Sequence, residues 1–326
     1  MSATRTETVV ERQDRRSIDD RVWPGETGHR MDCSLDIFFV EALLNGILLA
    51  GLLALLALGL NLVFGVIDVT WICYAELVMV GMYGFFWMTK VLGGPNIPPW
   101  MFLLCALFAM AVTAVAGVLL HVLAIRPVLD QAPINQLLVT GGVLFLLQAG
   151  ATLAFGIDFK NIGVQMGSLR TGDMSFSWSK LLTFGVSVSA MLVMWLFLTR
   201  TYIGTAIRAI AQDRQIMPLM GVDARKVYIV TSGIGGALAG LAASLMVFQF
   251  DIYPQIGLQF GPMIFMICVL GGLGNMLGGF VAAFIIAEFI AIGSSCLATE
   301  WGYAVAFLFF MIAIFVRPQG LFGGKS

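Results

Sequence analysis

Residues 91–125 read VLGGPNIPPWMFLLCALFAMAVTAVAGVLLHVLAI and contain no Asp, Glu, Lys or Arg. Three further stretches are equally free of these charged residues, at 131–157, 227–250 and 252–287. A helix that crosses a membrane needs about 20 mostly apolar residues, because each rises ~1.5 Å through a hydrocarbon layer ~30 Å thick. A membrane β-barrel would instead show short segments in which apolar and polar residues alternate. The unbroken runs therefore predict an all-α fold, a polytopic membrane helix bundle.

The composition supports this prediction and excludes several other classes. Of the 326 residues, 59% are hydrophobic and 11% are charged, against roughly 25% charged in ordinary soluble domains. A formal net charge of -1 argues against a basic nucleic-acid binder. Five cysteines without CxxC spacing and two histidines predict neither a metal site nor a disulfide framework, so we expect no cofactor.

The sequence also offers little material for catalysis. Two histidines leave few bases to activate a Ser or Cys nucleophile. Residues 324–326 read GKS, but the first glycine of a phosphate-binding GxxxxGK[ST] loop would fall at Gln319. We therefore predict that the chain is not an enzyme and does not itself bind ATP.

The apolar runs divide into eight or nine predicted crossings. We place spans near residues 37–59, 62–88, 100–123, 136–156, 181–199, 227–248, 276–297 and 301–316, with a short segment from 258 to the glycines at 271–274. Residues 1–36 carry six Arg and eight Asp or Glu with few large apolar residues, which predicts a disordered polar tail. The predicted organisation is this tail, a membrane domain at 37–317 and a C-terminal tail at 318–326.

Lys and Arg residues are unequally distributed between the two sides of this predicted bundle. Short cytoplasmic loops of membrane proteins are enriched in both residue types. One side carries Arg126, Arg200, Arg208, Arg214, Arg225, Lys226, Arg317 and Lys325. The other side carries Lys90, Lys160, Arg170 and Lys180. We therefore predict that residues 200–226 and 318–326 are cytoplasmic, whereas the bias assigns no side to residues 1–36.

The predicted cytoplasmic loop at 200–226 contains the pattern of a short amphipathic helix. Ile203, Ile207 and Ile210 would share one side of the helix, while Arg208 and Gln212 would lie elsewhere. An amphipathic helix of this kind suits docking into the groove of a partner protein. The alternative, an ordinary basic membrane anchor, stays open on these residues alone.

Four motifs in order along the chain resemble a known family. They are GLNLVFG at 59–65, AIRAIAQD at 206–213 followed by Met220-Gly221, GGLGN at 271–275, and RPQGLF at 317–322. Together, over about residues 37–323, they resemble the permease of branched-chain amino-acid ABC importers, the LivH type. The resemblance implies a type II ABC importer permease fold in a bacterial inner membrane.

The same resemblance implies partners and a coupling element. The permease would pair with a second, related permease, two cytoplasmic ATPases and an extracytoplasmic solute-binding protein. Its 204–222 loop would insert into a groove of an ATPase, and the residues expected at that contact are Arg208, Ala211, Gln212, Asp213 and Gly221. One segment departs from the family pattern: residues 71–75 read WICYA where Asn-x-Ala-His-Gly is usual. The departure leaves the transported solute open.

Ionisable and aromatic residues within the second predicted span are candidates for the translocation path. Asp68 and Glu76 are eight residues apart, which on a continuous helix would bring them near one face, close to Trp71 or Tyr74. Asn275, in the glycine cluster, is a further candidate. The alternative is that both carboxylates are solvated at an interface. Glu288 is isolated in its own span, so we expect it to pair within the bundle.

Two rival functions follow from other classes of membrane protein. An ion-coupled secondary transporter would use Asp68 and Glu76 as coupling carboxylates and would need no ATPase. A scaffold without a pathway would give the two carboxylates no role to offset the cost of placing them in a membrane segment. Neither rival explains the resemblance of the 200–226 loop. The spacing of Gly236 with Gly240, and of Gly274 with Gly278, predicts close helix packing.

Overall fold

The computed structural model describes residues 37–94, 98–163, 167–171, 174–213, 221–296 and 301–322. Its α-helices, in chain order, are α1 (Ile37–Ile67), α2 (Tyr74–Leu92), α3 (Pro99–Leu120), α4 (Pro133–Phe155), α5 (Trp178–Arg200), α6 (Tyr202–Gln212), α7 (Ala224–Met246), α8 (Ile256–Gly271), α9 (Met276–Cys296) and α10 (Trp301–Val316). A π-helical turn (His121–Ile125) and a 3-10 turn (Arg126–Val128) follow α3. The predicted tail at 1–36 lies outside the described residues.

The apolar helices confirm the predicted membrane bundle. Seven described helices are long and apolar enough to cross a membrane, and α8 and α10 are shorter apolar helices of 16 residues each. Their number agrees with the eight or nine crossings predicted from the sequence. Between α4 and α5 lies a hairpin that the sequence did not predict, in which β1 (Ser168–Thr171) pairs antiparallel with β2 (Met174–Ser177).

The first helix is longer than predicted. α1 runs without interruption from Ile37 to Ile67, so the predicted boundary between residues 59 and 62 is wrong. Gly59 does not end the helix. A Cβ added there would collide with the hydroxyl of Tyr74, so the glycine makes room for that side chain. The chain breaks instead at residues 68–73, before α2 begins.

α1 is the central helix and α4 is the most peripheral of the long helices. Of the 18 consecutive residues of α1 that are most apolar, 89% are buried, and the helix packs against α5, α7, α8 and α9. The corresponding buried share for α4 is 11%. Its contacts with α2 and the preceding break include a hydrogen bond from the Thr140 hydroxyl to the Thr70 carbonyl at 3.0 Å and a stack of Phe155 on Tyr83. Much of the apolar surface of α4 therefore faces outward.

The glycine pairs pack helices within this chain, as predicted. A Cβ added at Gly240 of α7 would lie 2.7 Å from Met110 Cα of α3, and one at Gly236 would collide with the Thr113 carbonyl. Gly278 of α9 lies directly against Gly271 at the end of α8. Small residues allow backbones to approach this closely where lipid supplies no hydrophobic driving force for helix association.

The helix ends form two groups at opposite ends of the bundle. At one end, which we call the outer end, Lys160 and Ile252 form an antiparallel bridge and the Lys180 ammonium donates to Asn45 Oδ1 at 2.9 Å. At the other, which we call the coupling end, α6 follows α5, and the Leu321 N–H donates to the Leu270 carbonyl at 2.7 Å. Residues 317–322 are thereby folded back onto the turn between α8 and α9.

Candidate translocation site and coupling surface

The break between α1 and α2 is an irregular segment within the helix bundle. The Asp68 N–H donates to the Phe64 carbonyl at 3.0 Å, and Asp68 has φ of 56°, a left-handed conformation that Asp adopts more readily than most residues. The chain then runs through residues 69–73, and the Tyr74 N–H bonds to the Trp71 carbonyl as α2 starts. Non-helical backbone at membrane depth is tolerated only where protein buries it or where it lines a cavity.

A cavity of about 390 Å³ borders the break. Its wall is formed by the break and α2, by two leucines of α4, by Leu60 of α1 and by residues 257–265 of α8. The lining residues are Leu60, Thr70, Trp71, Ile72, Tyr74, Ala75, Leu137, Leu144, Gly257, Leu258, Gly261, Pro262, Ile264 and Phe265. Small-molecule sites typically have 300–1,000 Å³ and mostly apolar walls. The cavity has the size and lining of a site for a small apolar group.

Two predicted path residues line this cavity together. Trp71 and Tyr74 are each 1% exposed, and their ring centroids are 6.2 Å apart. The Tyr74 hydroxyl donates to the Gly235 carbonyl of α7 at 3.3 Å, which anchors the start of α2 to the bundle. The indole N–H of Trp71 is buried and has no hydrogen-bond partner among the described residues.

Glu76 lies directly behind the cavity wall. Its side chain is fully buried, and neither carboxyl oxygen has a hydrogen-bond partner within the described part of the chain. A Cβ added at Gly257, which lines the cavity, would lie 2.5 Å from Glu76 Cδ. Burying a carboxyl group without partners is costly, and ionisable groups within membrane segments usually serve a function.

The structure separates Asp68 from Glu76. Because α1 ends at Ile67 and the chain is irregular through residues 68–73, the two carboxylates do not share a face of one continuous helix. Asp68 is exposed, whereas Glu76 is buried in the first turn of α2. Of the five predicted path residues, Trp71, Tyr74 and Glu76 are brought together.

Asn275 is placed at the coupling end. Its side-chain oxygen accepts from the Gly278 N–H at 3.0 Å, and its side-chain nitrogen donates to the Phe322 carbonyl at 3.1 Å. It thus caps α9 and holds the C-terminal segment. Asn275 also lines a groove of about 500 Å³ together with Arg208 of α6 and Phe322.

Sequence reasoning missed the contribution of α8 to the cavity. Gly257, Gly261 and Pro262 all lie on its wall. Pro262 is inside α8, and because proline lacks an N–H, the Leu258 carbonyl loses its usual helical partner. A Gly-Pro pair within an apolar run is a sequence signal for such a local irregularity, but it does not reveal which other segment lies opposite.

The surface predicted to contact an ATPase is built on α6. Thr201 caps the helix, since its hydroxyl accepts from the Gly204 N–H at 3.0 Å, and Gly204 itself packs against the backbone of Leu198. Ile207 and Ile210 are each 2% exposed, which confirms the predicted apolar side for both. Ile203 shares this side by its helical spacing, but at the start of α6 it is 44% exposed and does not pack into the bundle as the other two do.

The predicted contact residues described by the structure are all exposed. Arg208, Ala211, Gln212 and Asp213 lie on the outward side or at the end of α6, and Gly221 has φ of 82° in the turn before α7. Residues 214–220, which include Arg214 and Met220, lie outside the described residues. The exposed residues and the packed isoleucines together make α6 an amphipathic helix that presents a polar surface at the coupling end.

A bundle of apolar helices with a broken segment that borders a cavity defines a multi-pass membrane protein of the transport class. The chain belongs to the family of permease components of branched-chain amino acid transport systems, whose sequence model matches residues 42–314. The family predicted from the four motifs is therefore confirmed. Its homologues are transport permease subunits, not enzymes.

Curated relatives cover most of the chain. The BraD permease protein of Pseudomonas aeruginosa, from a high-affinity branched-chain amino acid transport system, is 28% identical over 87% of this chain and 96% of that protein. The LivH permease protein of Escherichia coli K12 is 28% identical over 88% of this chain and 96% of that protein. A probable LivH protein of Methanocaldococcus jannaschii is 26% identical over 86% of this chain and 91% of that protein.

Among solved structures, PsaBC from Streptococcus pneumoniae in complex with Fab has a TM-score of 0.47 and 14% identity, and the match covers 87% of this chain and 97% of that chain. At this TM-score the likeness supports no inference about function.

Proposed function

We propose that this chain is the transmembrane permease subunit of an ATP-driven importer for a small amino acid of the branched-chain type, or a related carboxylate or amide. It forms half of the translocation pathway and couples to a cytoplasmic ATPase. The observation that carries the proposal is the cavity at the break between α1 and α2, in a chain of the branched-chain amino acid permease family.

The lining of the cavity supports the class of solute. Its walls are almost wholly aliphatic or aromatic, with Thr70, Trp71 and Tyr74 contributing polar atoms. Such walls accommodate a short branched side chain through apolar contacts. In this proposal Trp71, Tyr74 and Glu76 belong to the path, while Asp68 and Asn275 remain candidates nearer its inner mouth.

The exposed surface of α6 supports coupling to an ATPase. Arg208, Gln212 and Asp213 are exposed, while Ile207 and Ile210 pack into the bundle. ATP-driven closure of an ATPase that holds residues 200–226 would be transmitted through α5, α7 and α1, against which α6 packs. The alternation between outward-facing and inward-facing states would follow.

The proposal includes specific partners and a location. The partners are a second related permease, two cytoplasmic ATPases and an extracytoplasmic solute-binding protein, and the location is a bacterial inner membrane. The coupling end, with residues 200–226 and the tail at 318–326, faces the cytoplasm. The excess of Lys and Arg on that side supports this orientation.

Ion-coupled secondary transport is the second candidate, favoured by the buried carboxyl group of Glu76. It now depends on Glu76 alone, because Asp68 is exposed and on a different structural segment. It also assigns no role to the exposed surface of α6.

Affinity purification of the full chain from its native host in mild detergent, followed by mass spectrometry, tests the proposed assembly. Recovery of a second permease and ATPase subunits is the expected result. Recovery of the chain alone, in a form that transports without an ATPase, would overturn the proposal in favour of ion coupling.

Replacing Trp71 by alanine should change which side chain the cavity accepts. Removal of the indole enlarges the cavity next to Tyr74, so uptake of phenylalanine relative to leucine should rise about tenfold, a difference worth ~1.4 kcal/mol. Competition uptake in cells that express the full importer measures this ratio. Trp100→Ala, at an indole that is 62% exposed on α3, is the matched control and should leave the ratio unchanged. An unchanged ratio in W71A would remove Trp71 from the path.

A further inference from the structure

We propose that Glu76 binds the ammonium group of the transported solute while the apolar side chain of that solute occupies the cavity at the break. This inference rests on the proposed function and assigns a residue to solute recognition within it. The solute class is an α-amino acid, or another primary amine, with a short branched apolar group.

The first argument is that the Glu76 carboxyl group has no partner among the described residues. The large majority of buried side-chain polar atoms in proteins are hydrogen-bonded. Within the described part of the chain, both carboxyl oxygens of Glu76 are buried without a hydrogen bond, and no Lys or Arg there forms an ion pair with Glu76. A carboxylate with its acceptor sites unfilled is complementary to an ammonium group, which has three donors and no acceptor.

The second argument is the location of the carboxyl group at two helix starts. Glu76 lies in the first turn of α2, and its carboxyl group packs against Gly257 in the first turn of α8. The N-terminal ends of helices carry partial positive charge and stabilise a nearby anion. The two helix ends therefore favour a negative charge at this place, and among the described residues no N–H of either helix donates to the carboxyl oxygens.

The third argument is the position of Glu76 relative to the cavity. Gly257 lines the cavity on one side and touches the carboxyl group on the other. Ala75, the neighbour of Glu76 in α2, also lines the cavity. Glu76 therefore adjoins two lining residues, Ala75 and Gly257, although it does not itself line the cavity, and the proposal places the solute ammonium at this junction.

Asp68 and Glu288 do not share this arrangement. Asp68 is exposed. Glu288 of α9 packs against Gly46 of α1, and it is not part of the cavity wall. Its Oε2 atom is also buried without a hydrogen bond among the described residues, so Glu288 is a matched comparison that differs from Glu76 in its distance from the cavity.

The test compares leucine with 2-hydroxy-4-methylpentanoate, which replaces the ammonium group of leucine by a hydroxyl and keeps its carboxylate and side chain. Binding of both probes to the full chain with its co-purified partners in lipid nanodiscs, without the solute-binding protein, gives the ratio of their dissociation constants. Wild type should prefer leucine about tenfold or more, because hydrogen bonds to charged groups are stronger than neutral ones. In Glu76→Gln the preference should fall to about one, whereas Glu288→Gln should keep it.

A leucine preference that persists in E76Q, or its absence in wild type, overturns the inference. Should E76Q fail to accumulate, Gly257→Ala provides the same test, because its added Cβ would occupy the space of the Glu76 carboxyl group. An unchanged preference in G257A is then the contradicting result. ATP dependence of uptake is measured on the same preparations. Its absence would contradict the proposed function, whereas ATP-dependent uptake with an unchanged E76Q preference contradicts only the role of Glu76.

Discussion

Replacing Arg208 by glutamate should reduce ATP-dependent uptake about a hundredfold or more while the permease stays in the membrane. Arg208 is exposed on α6, so the substitution should change the free energy of unfolding by no more than about 0.5 kcal/mol. At an interface with an ATPase, reversing a charge places like charges together and costs several kcal/mol. A loss of ~2.7 kcal/mol in the free energy of binding between permease and ATPase already corresponds to a hundredfold weaker interaction. Uptake by whole cells, normalised to the amount of permease in the membrane, measures this loss.

Two variants serve as controls for R208E. Arg208→Lys keeps the charge and should retain most of the uptake. Lys90→Glu makes the same reversal at an exposed position at the end of α2, away from α6, and should leave ATPase recovery in pull-downs unchanged. Full uptake and full ATPase recovery with R208E would remove Arg208 from the coupling surface.

Replacing Ala75 by leucine should block the path without harming the fold. Ala75 lies on the wall of the cavity of about 390 Å³, so the longer side chain has space to enter it. Filling a cavity commonly stabilises a protein by about 0.5–2 kcal/mol. We therefore expect uptake to fall about tenfold or more with an unchanged or raised thermal unfolding midpoint, measured on the purified protein.

Ala111→Leu is the matched control for A75L, because it adds the same atoms at an exposed position on α3. It should alter neither uptake nor the unfolding midpoint. Normal uptake by a folded A75L protein would show that the solute does not pass through this cavity.

The membrane fold could be predicted because its cause is local. Runs such as residues 131–157 and 227–250 are mostly apolar and contain no charged residue, and lipid imposes helical structure on such runs. The end of α1 could not be predicted in this way. Gly59 suggests a helix end in the sequence, yet its role is to leave space for the hydroxyl of Tyr74, which approaches from the next helix.

Part of the candidate site could be predicted because some of its residues are unusual in their local sequence. Trp71, Tyr74 and Glu76 stand out as large or ionisable residues within an apolar stretch. The cavity that Trp71 and Tyr74 line depends also on Gly257 and Pro262, about 180 residues further along the chain, and only tertiary packing places α8 opposite the break. Ile203 shows the same limit, since it shares the helical spacing of Ile207 and Ile210 but is 44% exposed.

The separation of the five path candidates has the same physical origin. A continuous helix would have grouped Asp68 with Glu76, but the first helix ends at Ile67 and the next begins at Tyr74, so the two residues do not share one helix. Asn275 was selected for its place in a glycine cluster, and its hydrogen bonds to Gly278 and Phe322 place it at the coupling end. Local sequence identifies such residues as special without stating which neighbours they have.

The most direct test of the importer proposal is uptake of leucine by proteoliposomes that contain the chain with its co-purified partners. We predict uptake that requires the solute-binding protein outside and ATP on the side of residues 200–226, and that persists when ionophores remove all ion gradients. Uptake that proceeds without ATP and stops when an ion gradient is dissipated would contradict the account and establish ion-coupled transport.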